Sequence, residues 1–298
     1  MKASDERDLV YAVVGLIETS GSPIIPDYTK RPDRVLCEAA AFNIRTAGDL
    51  DALTFTASDL DSELPSWIPS AAQSKQGLFL CAAIDCYKAA GSTRPRLRWT
   101  CDYKGMSAMG LLIDIVARVA VEDRRDTLYE SKLLAYATGQ LHGLRRRDTK
   151  ERFWRTIIAN QGRSFDSTRS TYPAPADFGR RYMISQTETE ELPEAASEDI
   201  LQWYRNYGEP FKASVDAFNN HQQSNFFTTS SGRFGLGQSG VAPGDMLCIL
   251  FGGRVVYILR DFGAYQKLVG CAYVHGVMDG ELSSQLNDER LVREFEIH

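Results

Sequence analysis

The chain has no long apolar run. No stretch approaches the roughly 20 residues needed to span a bilayer, so the sequence predicts no membrane helix. It has no basic excess either: 34 Lys and Arg stand against 39 Asp and Glu, a net charge of -5. Phosphate backbones are held by clustered Lys and Arg, which argues against nucleic acid as a general partner. The six cysteines, Cys37, Cys81, Cys86, Cys101, Cys248 and Cys271, form no C-x-x-C pair and no zinc spacing. Most sit in apolar runs, which reads as buried reduced thiols in a cytosolic protein and predicts no metal. N-x-S/T sequons are missing. Met1 leads into Ser4-Asp5-Glu6-Arg7-Asp8, charged where a signal peptide needs an apolar core. H-E-x-x-H, G-x-S-x-G and P-loop strings are also absent. What remains is the composition of a soluble globular chain, 43% hydrophobic and 24% charged over 298 residues. That is enough for one large domain or two smaller ones.

The densest pattern is Asn225–Glu281, where short apolar runs alternate with glycine-rich turns. Phe226–Thr229, Met246–Leu250, Val255–Leu259 and Lys267–Val274 have strand length and carry β-branched or aromatic residues. Gly252-Gly253 fits a two-residue hairpin turn between the second and third. Phe262-Gly263-Ala264 marks the next reversal.

The first half reads differently. Ser4 or Asp5 can cap a helix with Leu9, Val13, Leu16 and Ile17 on one face, its first turn anchored by Arg7 and Asp8. A second helix follows Pro32, with Val35, Leu36, Ala39, Ala40 and Phe42 inward. Leu64-Pro65-Ser66-Trp67-Ile68-Pro69 clamps a tryptophan in extended backbone, a core anchor under a loop. Gly77–Ala83 and Arg96–Thr100 read as strands; Gly110–Val121 fits a strand or a helix by periodicity, and its Ile and Val content favours the strand. Residues 127–142 read as a helix. Thr149 caps another with Phe153, Trp154, Ile157 and Ile158 inward. Thr187–Asp199 holds six acidic residues and no basic one, an exposed loop between halves. Two helical stretches follow, around Ile200 and Phe211. The fold class is therefore α+β. A mixed N-terminal part (1–186) precedes the acidic loop (187–199), then helices and a C-terminal antiparallel sheet or small β-barrel (200–298).

Gly235-Leu236-Gly237-Gln238-Ser239-Gly240 matches G-x-G-x-x-G, yet a dinucleotide site needs this turn to open a helix. Val241-Ala242-Pro243-Gly244-Asp245 and a strand follow instead, so the glycines are assigned to turns and positive φ, and no cofactor is expected. Cys271, His275 and Asp279 suggest an activated thiolate. In a strand, however, Cys271 and His275 would stand about 13 Å apart.

Four blocks resemble the fungal heterokaryon-incompatibility family, in the region following its HET domain. They are Asp5–Leu16 with Ile25-Pro26-Asp27-Tyr28; Leu64–Pro69; Phe153-Trp154-Arg155-Thr156; and the opening pattern. In the last, Thr229–Gly237, Gly244-Asp245, Leu259-Arg260 and Gly270–Glu281 carry the likeness, with Tyr273-Val274-His275-Gly276-Val277-Met278-Asp279-Gly280-Glu281 the most specific. The sequence departs from that pattern at Ser70-Ala71, Gln238, Val256 and Cys271. The motifs of the HET half, A-L-S-Y-x-W-G and I-D-x-x-C-I-N-Q, are absent. The resemblance thus implies a non-enzymatic regulatory or interaction protein in self/non-self recognition, without the death-inducing half; the cysteine usage makes the expected location cytoplasmic. An alternative is a cyclase or isomerase acting on a hydrophobic fungal secondary metabolite. Trp67, Trp99, Tyr103 and Tyr273 would line its pocket, with His275, Asp279 and Asp102 as the acid–base groups. The expected partner is a protein or a small hydrophobic molecule. No sequence signal bears on oligomeric state.

Overall fold

The computed structural model describes residues 5, 7–14, 24–56, 60–69, 84–120, 146–163, 170–174, 224–238 and 240–298. Several expectations lie outside them: Leu16 and Ile17 of the first helix, the strand Gly77–Ala83, the helix 127–142, the acidic stretch, and the helices around Ile200 and Phe211. No helix among the described residues is long and apolar enough to cross a membrane.

Two helices open the chain, α1 (Arg7–Val14) and α2 (Pro32–Ala47). Asp5 caps α1, its carboxylate accepting the Arg7 backbone N–H at 3.0 Å. The Arg7 guanidinium grips the same carboxylate at 2.6 Å and also donates to the carbonyl oxygens of Tyr28 and Lys30. This ties α1 to the link before α2. Pro32 starts α2, where its missing N–H costs nothing. Gly48 ends it at φ +71, its N–H on the Ile44 carbonyl at 3.0 Å. The fully buried face is Val35, Cys37, Ala41 and Ile44, not the expected set. Ala39 and Phe42 instead pack on a small separate cluster of Tyr11, Ile24 and Val35. The helix touches two cores, so a single apolar stripe does not describe it. Trp67 is fully buried in the main core, as expected of a loop anchor.

The main core lies in a β-ring. Its strands are β1 (Leu97–Trp99), β2 (Met106–Val119), β5 (Ser224–Thr229), β6 (Phe234–Gln238), β7 (Met246–Leu250), β8 (Val256–Asp261), β9 (Gln266–Val274) and β10 (Val292–Ile297). A separate two-stranded piece pairs β3 (Gly162–Arg163) with β4 (Ser170–Thr171). The order β2-β5-β6-β9-β8-β7 returns to β2, closing an antiparallel barrel-like ring. The fold is α+β. The ring takes β2 from the part of the chain before the acidic stretch.

Closure depends on the length of β2, which serves two neighbours on each edge. One edge pairs with β1 and then β7; the other pairs with β10 over residues 106–111 and then β5 over 116–119. On the opposite side of this seam, β9 pairs with β6 at Ala272–Val274 and meets β10 at Gln266. The β5–β6 hairpin therefore fills one half of the seam and β10 the other. Where they leave β9 without a strand neighbour, side chains substitute. Leu268 N–H donates to Ser66 Oγ at 2.8 Å, and Cys271 N–H donates to Gln238 Oε1 at 3.1 Å.

Two turns differ from expectation. Five residues, Phe251–Val255, connect β7 to β8, with Gly252 at φ +80. The Gly252-Gly253 pair is thus part of a longer loop rather than a two-residue turn. The first two glycines of the G-x-G-x-x-G string lie inside β6. They make room for the Phe227 ring, which a Cβ at Gly235 would meet at 2.1 Å. Only Gly240, at φ +95, serves a turn. The next element is the strand β7. Helix α3 (Arg146–Ile157) already includes Thr149, which is buried within it rather than capping it. Phe153, Trp154, Ile157 and Ile158 are buried as expected. The four-residue helix α4 (Ser283–Leu286) precedes β10.

Candidate functional site

Tyr273 is the last residue but one of β9, and His275, just past its end, begins the turn. The His275 backbone N–H donates to the Phe234 carbonyl at 3.0 Å. Its Nδ1 lies 3.4 Å from the Tyr273 hydroxyl. Burial pushes the imidazole down to about 4, helped by the positive charges of Arg152 and Arg155, so it is neutral at pH 7. Asp279 accepts the Tyr172 hydroxyl at 2.6 Å, while its own N–H donates to Glu281 at 2.7 Å. Burial, then the Asp279 bond, raises the Tyr172 phenol.

Tyr87 joins these groups. Its ring stands edge-on to Tyr172 at 5.2 Å and tilted to Tyr273 at 6.1 Å. Its hydroxyl donates to the Ala159 carbonyl at 2.8 Å and accepts from Gln161 at 2.6 Å. Sequence reading missed Tyr87, Gln161 and Tyr172. They converge from distant positions with no shared motif or period, so no local signal could have found them. Cys271 lies buried in β9, and Asp279 is engaged by Tyr172, so the Cys–His–Asp relay is not assembled.

The other expected site residues lie at the opposite end of β9. Trp67 donates its Nε1–H to the Lys104 carbonyl at a long 3.5 Å. Trp99 stands beneath the Arg45 guanidinium at 4.6 Å, and Tyr103 is 5.4 Å from the same group. Arg34 lies 5.0 Å over Tyr103. Among the described residues the buried Trp99 Nε1 has no hydrogen-bond partner. Asp102 shapes the β1–β2 turn, its Oδ1 accepting the Thr100 hydroxyl at 2.6 Å and the Lys104 N–H at 3.1 Å. Those bonds hold its carboxyl below the usual range. Tyr103 itself sits at φ +57, rare for a residue with a Cβ.

Strand register measures the separation. Trp99 pairs with Met106, Met106 with Ile297, and Ile297 with Gln266, at the start of β9. His275 follows its far end. Eight steps along a strand span about 26 Å, so Trp67, Trp99, Asp102 and Tyr103 share no pocket with Tyr273, His275 and Asp279. The chemistry at the His275 end is a neutral imidazole beside a phenol, with a carboxylate bonded to a second phenol. Among the described residues no group of three His, Cys, Asp or Glu is placed to hold a metal ion.

A family model described as the Het-6 beta-barrel domain matches residues 135–293, a little over half of the chain. Neither the curated proteins nor the solved structures give a match.

Proposed function

The chain belongs to the Het-6 beta-barrel domain family, and on that footing we propose that it works as a non-enzymatic regulatory or interaction module in fungal self/non-self recognition. One observation supports the reading above others. The polar groups gathered at His275 are spent on one another and on backbone. Tyr87 is held by Ala159 and Gln161, the Asp279 carboxylate by the Tyr172 hydroxyl, and the Asp279 backbone N–H by Glu281. Groups held this way stiffen a scaffold, whereas a working acid or base must meet the proton it moves. The implied partner is a protein, bound without a cofactor.

A second reading has its own observation. Neutral His275 beside Tyr273 could move a proton, as a cyclase or isomerase of hydrophobic metabolites requires. One experiment separates the two. The full-length protein is incubated with fungal extract, and both retained proteins and altered metabolites are identified by mass spectrometry. The interaction reading expects a protein retained at fixed stoichiometry, equally by His275→Gln and Asp279→Asn. Turnover of a metabolite that both substitutions abolish would overturn it.

A further inference from the structure

A cleft of about 350 Å³ opens between α2, residues 63–65 and the β1–β2 turn, far from His275. It is lined by charges of both signs, and most are already committed. Lys30 and Arg34 both pair with Glu38, at 2.7 and 2.8 Å. Arg31 pairs with Asp33 at 3.2 Å. Three groups on the lining are left over. Lys104 and Glu63 form no ion pair among the described residues, and Asp102 spends only its Oδ1 on the turn. Among the described residues the Lys104 ammonium and the Glu63 carboxylate thus face the same space without an ion-pair partner, beside the uncommitted Oδ2 of Asp102.

The walls are fixed. Arg34 and Arg45 lie against the Tyr103 ring, Arg45 also covers Trp99, and the left-handed backbone at Tyr103 sets the turn carrying Asp102 and Lys104. The Cys37 thiol on the lining is pushed up to about 11 by burial, so it remains protonated and offers no thiolate. A simple anion would be drawn to Lys104 but repelled by Glu63 and Asp102, and a simple cation would meet the reverse. A ligand carrying both charges satisfies all three groups, and the volume lies at the low end for small-molecule sites.

We propose that this cleft binds a small zwitterion of the α-amino-acid type, its carboxylate on Lys104 and its ammonium on Glu63 and Asp102. This does not depend on the interaction role above. The test is calorimetric titration of the full chain with glycine, L-leucine, L-arginine and L-glutamate, beside N-acetylglycine and glycinamide. At least one free amino acid is expected to bind, and blocking either charge should weaken binding about 10- to 100-fold. Lys104→Met and Glu63→Gln should each produce a loss of that size with an unchanged melting temperature of the unliganded protein, since both side chains are exposed. The proposal is overturned if no amino acid binds at millimolar concentration, if the blocked compounds bind as well as glycine, or if either variant binds like the parent.

Discussion

Two titrating residues pull the pH dependence of stability in opposite directions. His275 has a folded value of about 4 against 6.5 for the free side chain. Its contribution is fully present above pH 6.5 and is lost as pH falls through 4, because the unfolded chain takes up the proton first. Asp51 behaves the other way. Burial, with Asp49 and Asp85 nearby, raises it to about 6, against the pull of Arg254 at 3.4 Å. It therefore costs stability at neutral pH, and the cost is relieved as pH falls from 6 towards 4. The parent curve between pH 7 and 4.5 should be flattened by this opposition. His275→Gln should gain stability over the parent on acidification, by about 2 kcal/mol after allowance for partial exposure. Asp51→Asn should lose a similar amount relative to the parent. Urea midpoints at the two pH values read both differences, and parallel curves for parent and variants would refute the assignment. Neither shift can be read from sequence, since each is created by burial among residues distant along the chain.

Strands β5, β6 and β10 show what the chain announces and what it withholds. Runs such as Met246–Leu250 announce themselves through β-branched and apolar content, and the register of β7 with β8 follows. The function of Gly235 and Gly237 is not visible that way. Their spacing suggested turns, but across the hairpin Phe227 pairs with Gly235 and lays its ring over both positions. Gly235→Ala should cost about 1–3 kcal/mol through overpacking, and Phe227→Leu should recover part of it in the double variant. Additive losses in denaturant titrations would show that the ring is not the cause. The seam between the hairpin and β10 gives a second test at this scale. Gln238→Ala removes the acceptor of the Cys271 N–H, and Ser66→Ala removes that of Leu268. Each should cost about 1–3 kcal/mol. In hydrogen exchange, Gln238→Ala should speed Cys271 and leave Leu268 protected, and Ser66→Ala should do the opposite. Uniform acceleration of both amides in either variant would mean that strand pairing, not side-chain substitution, seals this stretch.

At the level of the whole molecule, the family match and the folding unit do not coincide. The matched residues 135–293 include β5 through β9 but omit β2, the strand that both β5 and β7 need as a neighbour. They also omit residues 50–56 and 60–69, which lie along the ring. There the Leu50 carbonyl accepts Tyr257 at 3.1 Å, the Thr54 carbonyl accepts Gln238 at 3.3 Å, and Trp67 is buried in the core. The sequence showed Gly110–Val121 as an apolar strand, but its place as the closing strand rests on pairings more than 100 residues away, which no local pattern encodes. Gly110 shows how closely β2 is fitted: a Cβ there would stand 2.5 Å from the Ile249 carbonyl oxygen. Residues 135–293 expressed alone should therefore fail to unfold cooperatively and should associate through the open edges of β5 and β7. Residues 24–298 should give a monomer with a single sharp transition. Within that longer chain, Gly110→Val should return the behaviour of the short one, because it blocks β2 from its place beside β7. Thermal denaturation with light scattering distinguishes these outcomes. A cooperative, monomeric 135–293 would show that the ring closes without β2 and that residues 50–120 are an accessory rather than part of the barrel.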